Sequence, residues 1–218
     1  MRQCPPESNG PRLLRAGDRG WLVELPPGRS AALAASVRQQ PWAGQVAEVV
    51  PASRTVLVTA MHPNMTNALG TALAGMLRDS AQHPTPTWQP RTIRIPVRYD
   101  GPDLEDVAEA VGLRPDEVAE RHCSVRHVVG FFGFAPGFAY IDGLPEVLAL
   151  PRRSSPRTRI EAGYVAIAGN QSVVYPGGTP GGWHLIGRTE QRMWDPQRDP
   201  PNRLEVGDHV VFQAVSPC

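Results

Sequence analysis

Hydrophobic and polar positions fall into two stretches with different rhythms. In the first, alternation over residues 11–15 and 21–25, joined by Ala16-Gly17-Asp18-Arg19-Gly20, predicts a pair of strands. Ser30 stands as a helix cap ahead of Ala31, Leu33, Ala34 and Val37. Two β-branched runs follow, 46–50 and 55–60, separated by Pro-Ala-Ser-Arg. Met65, Ala68, Leu69, Ala72, Leu73, Met76 and Leu77 then recur at the spacing of one helical face. Strand, strand, helix, strand, strand, helix predicts a small α/β sandwich with both helices on one side of a single sheet.

Residues 81–90 (AQHPTPTWQP) carry three prolines and no period, so a boundary is expected there. The division is an N-terminal sandwich over 1–82, a linker over 83–91, and a second domain over 92–218. That second domain opens with alternation over 92–99. Asp100-Gly101-Pro102-Asp103 reads as a turn and helix cap. Short helices are predicted over 104–111 and 115–122. After Ser124 the pattern is of short strands linked by Gly/Pro turns, as in a β-barrel or sandwich. The fold class is therefore α+β.

The helix pair DVAEAVGLRPDEVAERH has the length and central glycine of a helix-turn-helix. Its second helix sets Asp116, Glu117 and Glu120 against Arg121 alone, and phosphates would repel such a recognition helix. A formal charge of +1 adds no general attraction to nucleic acid or anionic membrane. Neither is expected as a partner.

Composition narrows the chemistry further. All 22 strong bases are arginine, which excludes a Walker-type phosphate lysine, a Schiff-base lysine and a biotinyl-lysine from this chain. Cys4, Cys123 and Cys218 are widely spaced, so neither a disulfide framework nor a zinc site is expected. Cys123 reads as buried filler. The opening residues lack the apolar run of a signal peptide, and no run is long enough to span a bilayer, so a cytoplasmic location is expected. There is no GxSxG elbow, no HExxH and no phosphate loop with its lysine. The histidines sit at no metal-ligand spacing and read as structural; no metal is expected.

Four of the five phenylalanines (Phe131, Phe132, Phe134 and Phe138) crowd into one Gly/Pro-punctuated run, which an arginine cluster closes. Four segments of this domain are unusual: GFAPGFAY from Gly133, PRRSSPR from Pro151, AGYVAIAGNQ from Ala162 leading to Tyr175-Pro176, and GTPGGWHLIGRT from Gly178. Their glycines and prolines make loops of fixed shape, suited to presenting a binding surface at little entropic cost. Arginines there suit a carboxylate or phosphate, and Gln171, Tyr175, Thr179 and His184 suit a polar small molecule. Taken singly, each residue has a bland reading: the aromatics fill a core and the arginines are solvated.

Together these segments resemble the family variously called the B-type 5-oxoprolinase subunit, KipI and allophanate hydrolase subunit 1. The likeness runs through GF-x-PGF-x-Y, PRR-x-x-PR, AG-x-V-x-IAG-x-Q, YP, PGGW-x-LIGRT and Asp195-Pro196, in order. Glu161 replaces the usual proline, and Asn170 a commoner glycine. The resemblance implies a small α/β domain followed by a cyclophilin-like β-barrel. It implies a subunit, inactive alone, of a complex that hydrolyses 5-oxoproline to glutamate at the expense of ATP. The partner would be a homologous barrel subunit (the C-type 5-oxoprolinase subunit, allophanate hydrolase subunit 2 or KipA type), with a third 5-oxoprolinase subunit. ATP would sit on this chain or on a partner. Opening an unactivated lactam with ATP suits phosphorylation of the amide oxygen, then attack by water, which calls for cation clamps and donors. Arg157, Gln171 and Tyr175 are the expected catalytic residues, and Tyr140, Arg153, Thr179, His184 and Arg188 the substrate-binding ones. Two alternatives stay open: a KipI-type inhibitor that binds a histidine kinase, and an allophanate hydrolase or urea carboxylase-related subunit.

Overall fold

A computed structural model describes residues 10–79 and 90–215. Residues 83–89 of the expected linker, Cys4 and Cys218 lie outside the described residues. The chain divides into two compact units, Met1–Trp88 and Gln89–Cys218.

The first unit has a four-stranded antiparallel sheet of β1 (Arg12–Ala16), β2 (Gly20–Glu24), β3 (Val46–Pro51) and β4 (Thr55–Ala60), in spatial order β1-β2-β4-β3. Helices α1 (Ser30–Arg38) and α2 (Thr66–Asp79) cover one face of it. Val23, Val56, Val58 and Ala60 from the sheet meet Leu33, Ala34, Val37, Leu69 and Leu73 from the helices. These are the positions the two periods single out. Gly70 lies against the Trp21 ring, whose Nε1–H donates to the Thr66 carbonyl at 2.7 Å. Ser30 does not cap α1: it is the first helical residue, and its hydroxyl turns towards the Ser53 carbonyl.

In the second unit seven strands form a nearly closed barrel: β5 (Thr92–Val97), β6 (His127–Phe132), β7 (Ala139–Asp142), β9 (Tyr164–Ala168), β10 (Gln171–Val174), β12 (His184–Arg188) and β13 (His209–Ala214). Their order is β12-β9-β10-β7-β6-β13-β5, antiparallel except where β13 runs parallel to β5. The two edges meet at Arg98 and Arg188, whose backbones exchange N–H···O bonds of 2.8 Å in each direction. Strands β8 (Arg157–Ile160) and β11 (Thr179–Gly181) form a separate two-stranded ribbon.

One apolar cluster draws on all seven barrel strands and is the barrel's interior. Ile95, Val129, Ile141, Ile167, Val174, Ile186 and Phe212 meet there. Helices α3 (Leu104–Val111) and α4 (Pro115–Cys123) add Leu104, Val107, Ala108 and Val118 to it. Gly112, at φ 70°, ends α3 in the left-handed conformation and lets the chain reverse into α4. On the opposite face of β7, β9, β10 and β12 a second cluster gathers Phe138, Ala166, Ala168, Val173, Tyr175, Trp183 and Leu185, and Ile160 of the ribbon packs on it. Both faces of these strands are buried, which explains their near-continuous apolar runs.

The aromatic-rich run spans a hairpin, the end of β6, its loop and the start of β7. Phe131 and Tyr140 stack across it at 4.2 Å between ring centroids. Its loop holds Phe134 at φ 69°, a left-handed conformation rare for a bulky residue, and leaves that ring 63% exposed.

Candidate functional site

Asp103 is the hub of the loops that the sequence singles out. Its expected role as a side-chain cap of α3 is not what the structure shows. Gly101 brings the chain tight against β12, where any Cβ would collide with the backbone of Leu185 to Gly187. From there the Asp103 N–H donates to the Leu185 carbonyl at 3.0 Å, and the Leu185 N–H returns a bond to Asp103 Oδ2 at 2.7 Å. Arg157 forks onto the same carboxylate at 2.8 and 2.9 Å, and Arg153 Nη1 reaches Oδ1 at 2.5 Å. Burial alone would raise the Asp103 carboxyl. The Arg157 and Leu185 hydrogen bonds and both guanidinium charges overcome it and hold the group below its ordinary 3.8. The same bonds raise Arg157.

Beside this hub lies a cavity of about 420 Å³ walled by Arg152, Arg153, Ser154, Ser155 and His184, with Leu150 and Ala110 at its apolar side. The Arg152 guanidinium sits over the Trp183 ring, 5.8 Å from its centroid. His184 donates from Nε2 to the Pro151 carbonyl at 2.9 Å. Arg153 and His184, both expected to bind substrate, therefore share one cavity.

Tyr175 belongs to the outer aromatic cluster, packed edge-on against Phe138 at 5.3 Å. Its hydroxyl lies against Gly181. Burial pushes it up to about 12, so it is a neutral donor at pH 7. Arg152 and Arg157 both lie within electrostatic reach of it. Tyr140 joins the same cluster between Phe138 and Trp183.

Gln171 stands apart from that pair. It lies four residues from Tyr175, at the other end of β10, which is roughly 13 Å along a strand. Its Nε2 donates to Asp142 Oδ1 at 2.7 Å. Burial raises the Asp142 carboxyl above 3.8, and the Gln171 bond offsets only part of the rise. Cross-strand register also separates Gln171 from His184. Gln171 pairs with Ala168 of the outer cluster, whereas His184 pairs with Ile167 of the interior. Arg188 lies over the Tyr164 ring at 4.4 Å. Thr179, on the ribbon, keeps its Oγ1 buried without a partner among the described residues. The expected catalytic trio thus divides in two: Arg157 with Tyr175, and Gln171 with Asp142.

Sequence reasoning missed Asp103, Asp142 and a buried relay. His122 Nδ1 shares a hydrogen bond of 2.7 Å with the Tyr99 hydroxyl, and its Nε2 lies 2.9 Å from Ser172 Oγ. The geometry resembles a serine–histidine pair, but both residues have zero exposure, so no substrate reaches them. Burial, then the neighbouring His127, keeps His122 neutral far below 6.5. Cys123 is half-buried and not sealed in, with its Sγ 3.2 Å from the Tyr99 hydroxyl. Among the described residues no group of three or more His, Cys, Asp or Glu side chains is placed to hold a metal, and no helix is long and apolar enough to cross a membrane.

A nearly closed barrel with an arginine-lined cavity, following a small α/β unit, defines the class: residues 11–204 match the family model described as carboxyltransferase domain, subdomain C and D. Within that class the chain belongs to the family of B-type 5-oxoprolinase subunits. It is 38% identical to the B-type 5-oxoprolinase subunit of Bacillus subtilis (strain 168), over 94% of this chain and 89% of that protein. It is 52% identical to the protein of the same name from Escherichia coli O157:H7, over 56% of this chain and 57% of the relative. A solved structure, that of TTHA0988, superposes with a TM-score of 0.74 at 32% identity, over 92% of this chain. This chain spans only 40% of TTHA0988.

Proposed function

We propose that this chain is one subunit of an ATP-dependent 5-oxoprolinase, and that its arginine-rich barrel loops form part of a site completed by partner subunits. The observation that carries the reading is the 38% identity to a protein named as a B-type 5-oxoprolinase subunit, across nearly the full length of both chains. The site chemistry agrees with it. Cleaving a lactam drives negative charge onto its oxygen, and donors fixed before the reaction stabilise that charge best. Arg157 is fixed by its fork on Asp103 and its side chain stays 28% exposed, whereas the Tyr175 hydroxyl is buried behind it and serves to pack the loop. Without lysine, arginine is the cation available to clamp a phosphoryl group or a carboxylate. Arg152, which stands over Trp183 next to the cavity, is placed for that work. Gln171 and Asp142 stand apart from these groups, and we assign them to the surface that meets the partner.

The test is to recover the tagged chain from its own cells with whatever it binds, and to assay release of glutamate from 5-oxoproline with and without ATP. Release that needs both ATP and the co-purified chains supports the proposal. An assembled complex that leaves 5-oxoproline untouched refutes it.

A further inference from the structure

We propose that the cavity bounded by Arg152, Arg153 and His184 binds a small carboxylate that carries an N–H next to its acid group, the arrangement found in 5-oxoproline. This locates a ligand within the function proposed above and rests on that reading for the choice of probe.

Charge makes the first part of the case. Arg152, Arg153 and Arg157 bring three positive charges, and Asp103 is the one carboxylate that pairs with any of them among the described residues, leaving a net of two. Glu105, Asp106 and Glu109 of α3 are exposed and form no ion pair with these arginines among the described residues. Asp103 is itself saturated: each oxygen accepts two bonds, from Arg153 and Arg157 at Oδ1, and from Arg157 and the Leu185 N–H at Oδ2. It has no capacity left to neutralise Arg152. A cation held flat on an indole face keeps its N–H edge free for an acceptor.

Unused hydrogen-bonding groups make the second part. Arg153 Nε is buried and has no partner among the described residues, although its Nη1 is committed to Asp103. The Nε itself is out of solvent's reach, so the donors open to a ligand are the exposed parts of the Arg152 and Arg153 guanidinium groups that line the cavity. His184 contributes the complement. A carbonyl only accepts, so the His184 proton that faces Pro151 is on Nε2, and in that tautomer Nδ1 is the ring's acceptor. Donors for a carboxylate and an acceptor for an N–H therefore line the same small cavity. Leu150 and Ala110 supply an apolar side for a carbon ring. Its volume of about 420 Å³ leaves ample room for such a molecule.

The experiment is titration of the full chain with four probes, followed by ¹⁵N NMR of the arginine side chains and the His184 ring. The probes are 5-oxoproline, cyclopentanecarboxylate (no N–H), 2-pyrrolidinone (no carboxylate) and inorganic phosphate. The account expects 5-oxoproline to move the Arg152, Arg153 and His184 signals, cyclopentanecarboxylate to bind about ten-fold more weakly, and 2-pyrrolidinone not to bind. Arg152→Gln, which breaks no ion pair, should weaken 5-oxoproline about ten-fold or more. The proposal is overturned if no probe moves these signals, if Arg152→Gln binds as well as the parent, or if phosphate binds as tightly as 5-oxoproline. Glutamate formation by the complex despite an Arg152→Gln chain that binds normally would leave the functional reading standing and place its site elsewhere. Binding here with no turnover in the complex would leave the cavity standing and remove the functional reading.

Discussion

Acidification should destabilise the barrel through two buried histidines before any catalytic group matters. His122 is wholly buried, faces the Tyr99 hydroxyl and Ser172 Oγ, and packs on the Phe212 ring at 4.3 Å with His127 at 5.0 Å. No carboxylate bonds to it among the described residues. His127 donates from Nε2 to the His122 carbonyl, and its Nδ1 has no partner among the described residues. Burial lowers both below 6.5, His122 much further. The unfolded chain therefore takes up protons that the folded barrel refuses, so stability is full above about pH 6.5 and is lost as pH falls towards the folded values. Each such histidine costs about 1.4 kcal/mol per pH unit in that window. At pH 5.5 the loss is about 1.4 kcal/mol from His122, rising to a ceiling of about 2.8 kcal/mol if His127 contributes fully. Against a typical stability of about 5–15 kcal/mol, that is readily measured. Asp142 works in the opposite direction, since its raised carboxyl relieves strain only on acidification nearer its own range, so the comparison stops at pH 5.5. The assay is urea unfolding at pH 7.5 and 5.5, read by hydrogen exchange in β10 and β13 so that the first unit does not contribute. In His122→Phe/Ser172→Ala, which removes the polar pair and keeps the ring contact with Phe212, the pH-dependent loss should shrink by about 1.4 kcal/mol. An unchanged pH dependence in that variant would refute the reasoning.

Other expectations follow from the same contacts. Asp103→Ala strands Arg153 and Arg157, each a little under 30% exposed, and should cost about 2–3 kcal/mol in urea, towards the low end for a broken buried pair because both can reach water. Phe138→Ala opens the outer aromatic cluster, where the ring touches Tyr140, Tyr175 and Trp183, and should cost about 3–5 kcal/mol by the same measurement. Gln171→Ala, which removes a single hydrogen bond to Asp142, should change stability by about 1 kcal/mol or less yet lower recovery of the partner chains in a pull-down; normal recovery would remove Gln171 from the interface.

The sequence conveyed local structure well because periodicity is a local property. Helices α3 and α4 fall within a residue of their expected limits, and the first unit's strands and helices follow in the expected order. Partnerships across the chain were not legible. Asp103 meets Arg153, Arg157 and Leu185 at separations of 50, 54 and 82 residues, and nothing near Asp103 distinguishes it from an ordinary helix cap. By sequence the arginines of PRRSSPR wait for an external anion, whereas Arg157 already holds an internal one. Arg152, which the sequence offers only as one of four arginines (with Arg153, Arg157 and Arg159) suited to an anion, is the member of the run beside the cavity that forms no ion pair among the described residues. The scatter of Gln171, Tyr175 and His184 has a simpler cause. Strand alternation and length set where each side chain points, so motif order along the chain does not imply convergence in space.

The measurement that bears most directly on the proposed function is made in the organism itself. Cells that lack this chain should accumulate 5-oxoproline and lose ATP-dependent conversion of it to glutamate in their extracts. Returning the intact chain should restore both. Undiminished conversion in the deletion strain, with no second subunit of this type present to account for it, would contradict the proposal and leave a barrel protein whose cavity serves another partner.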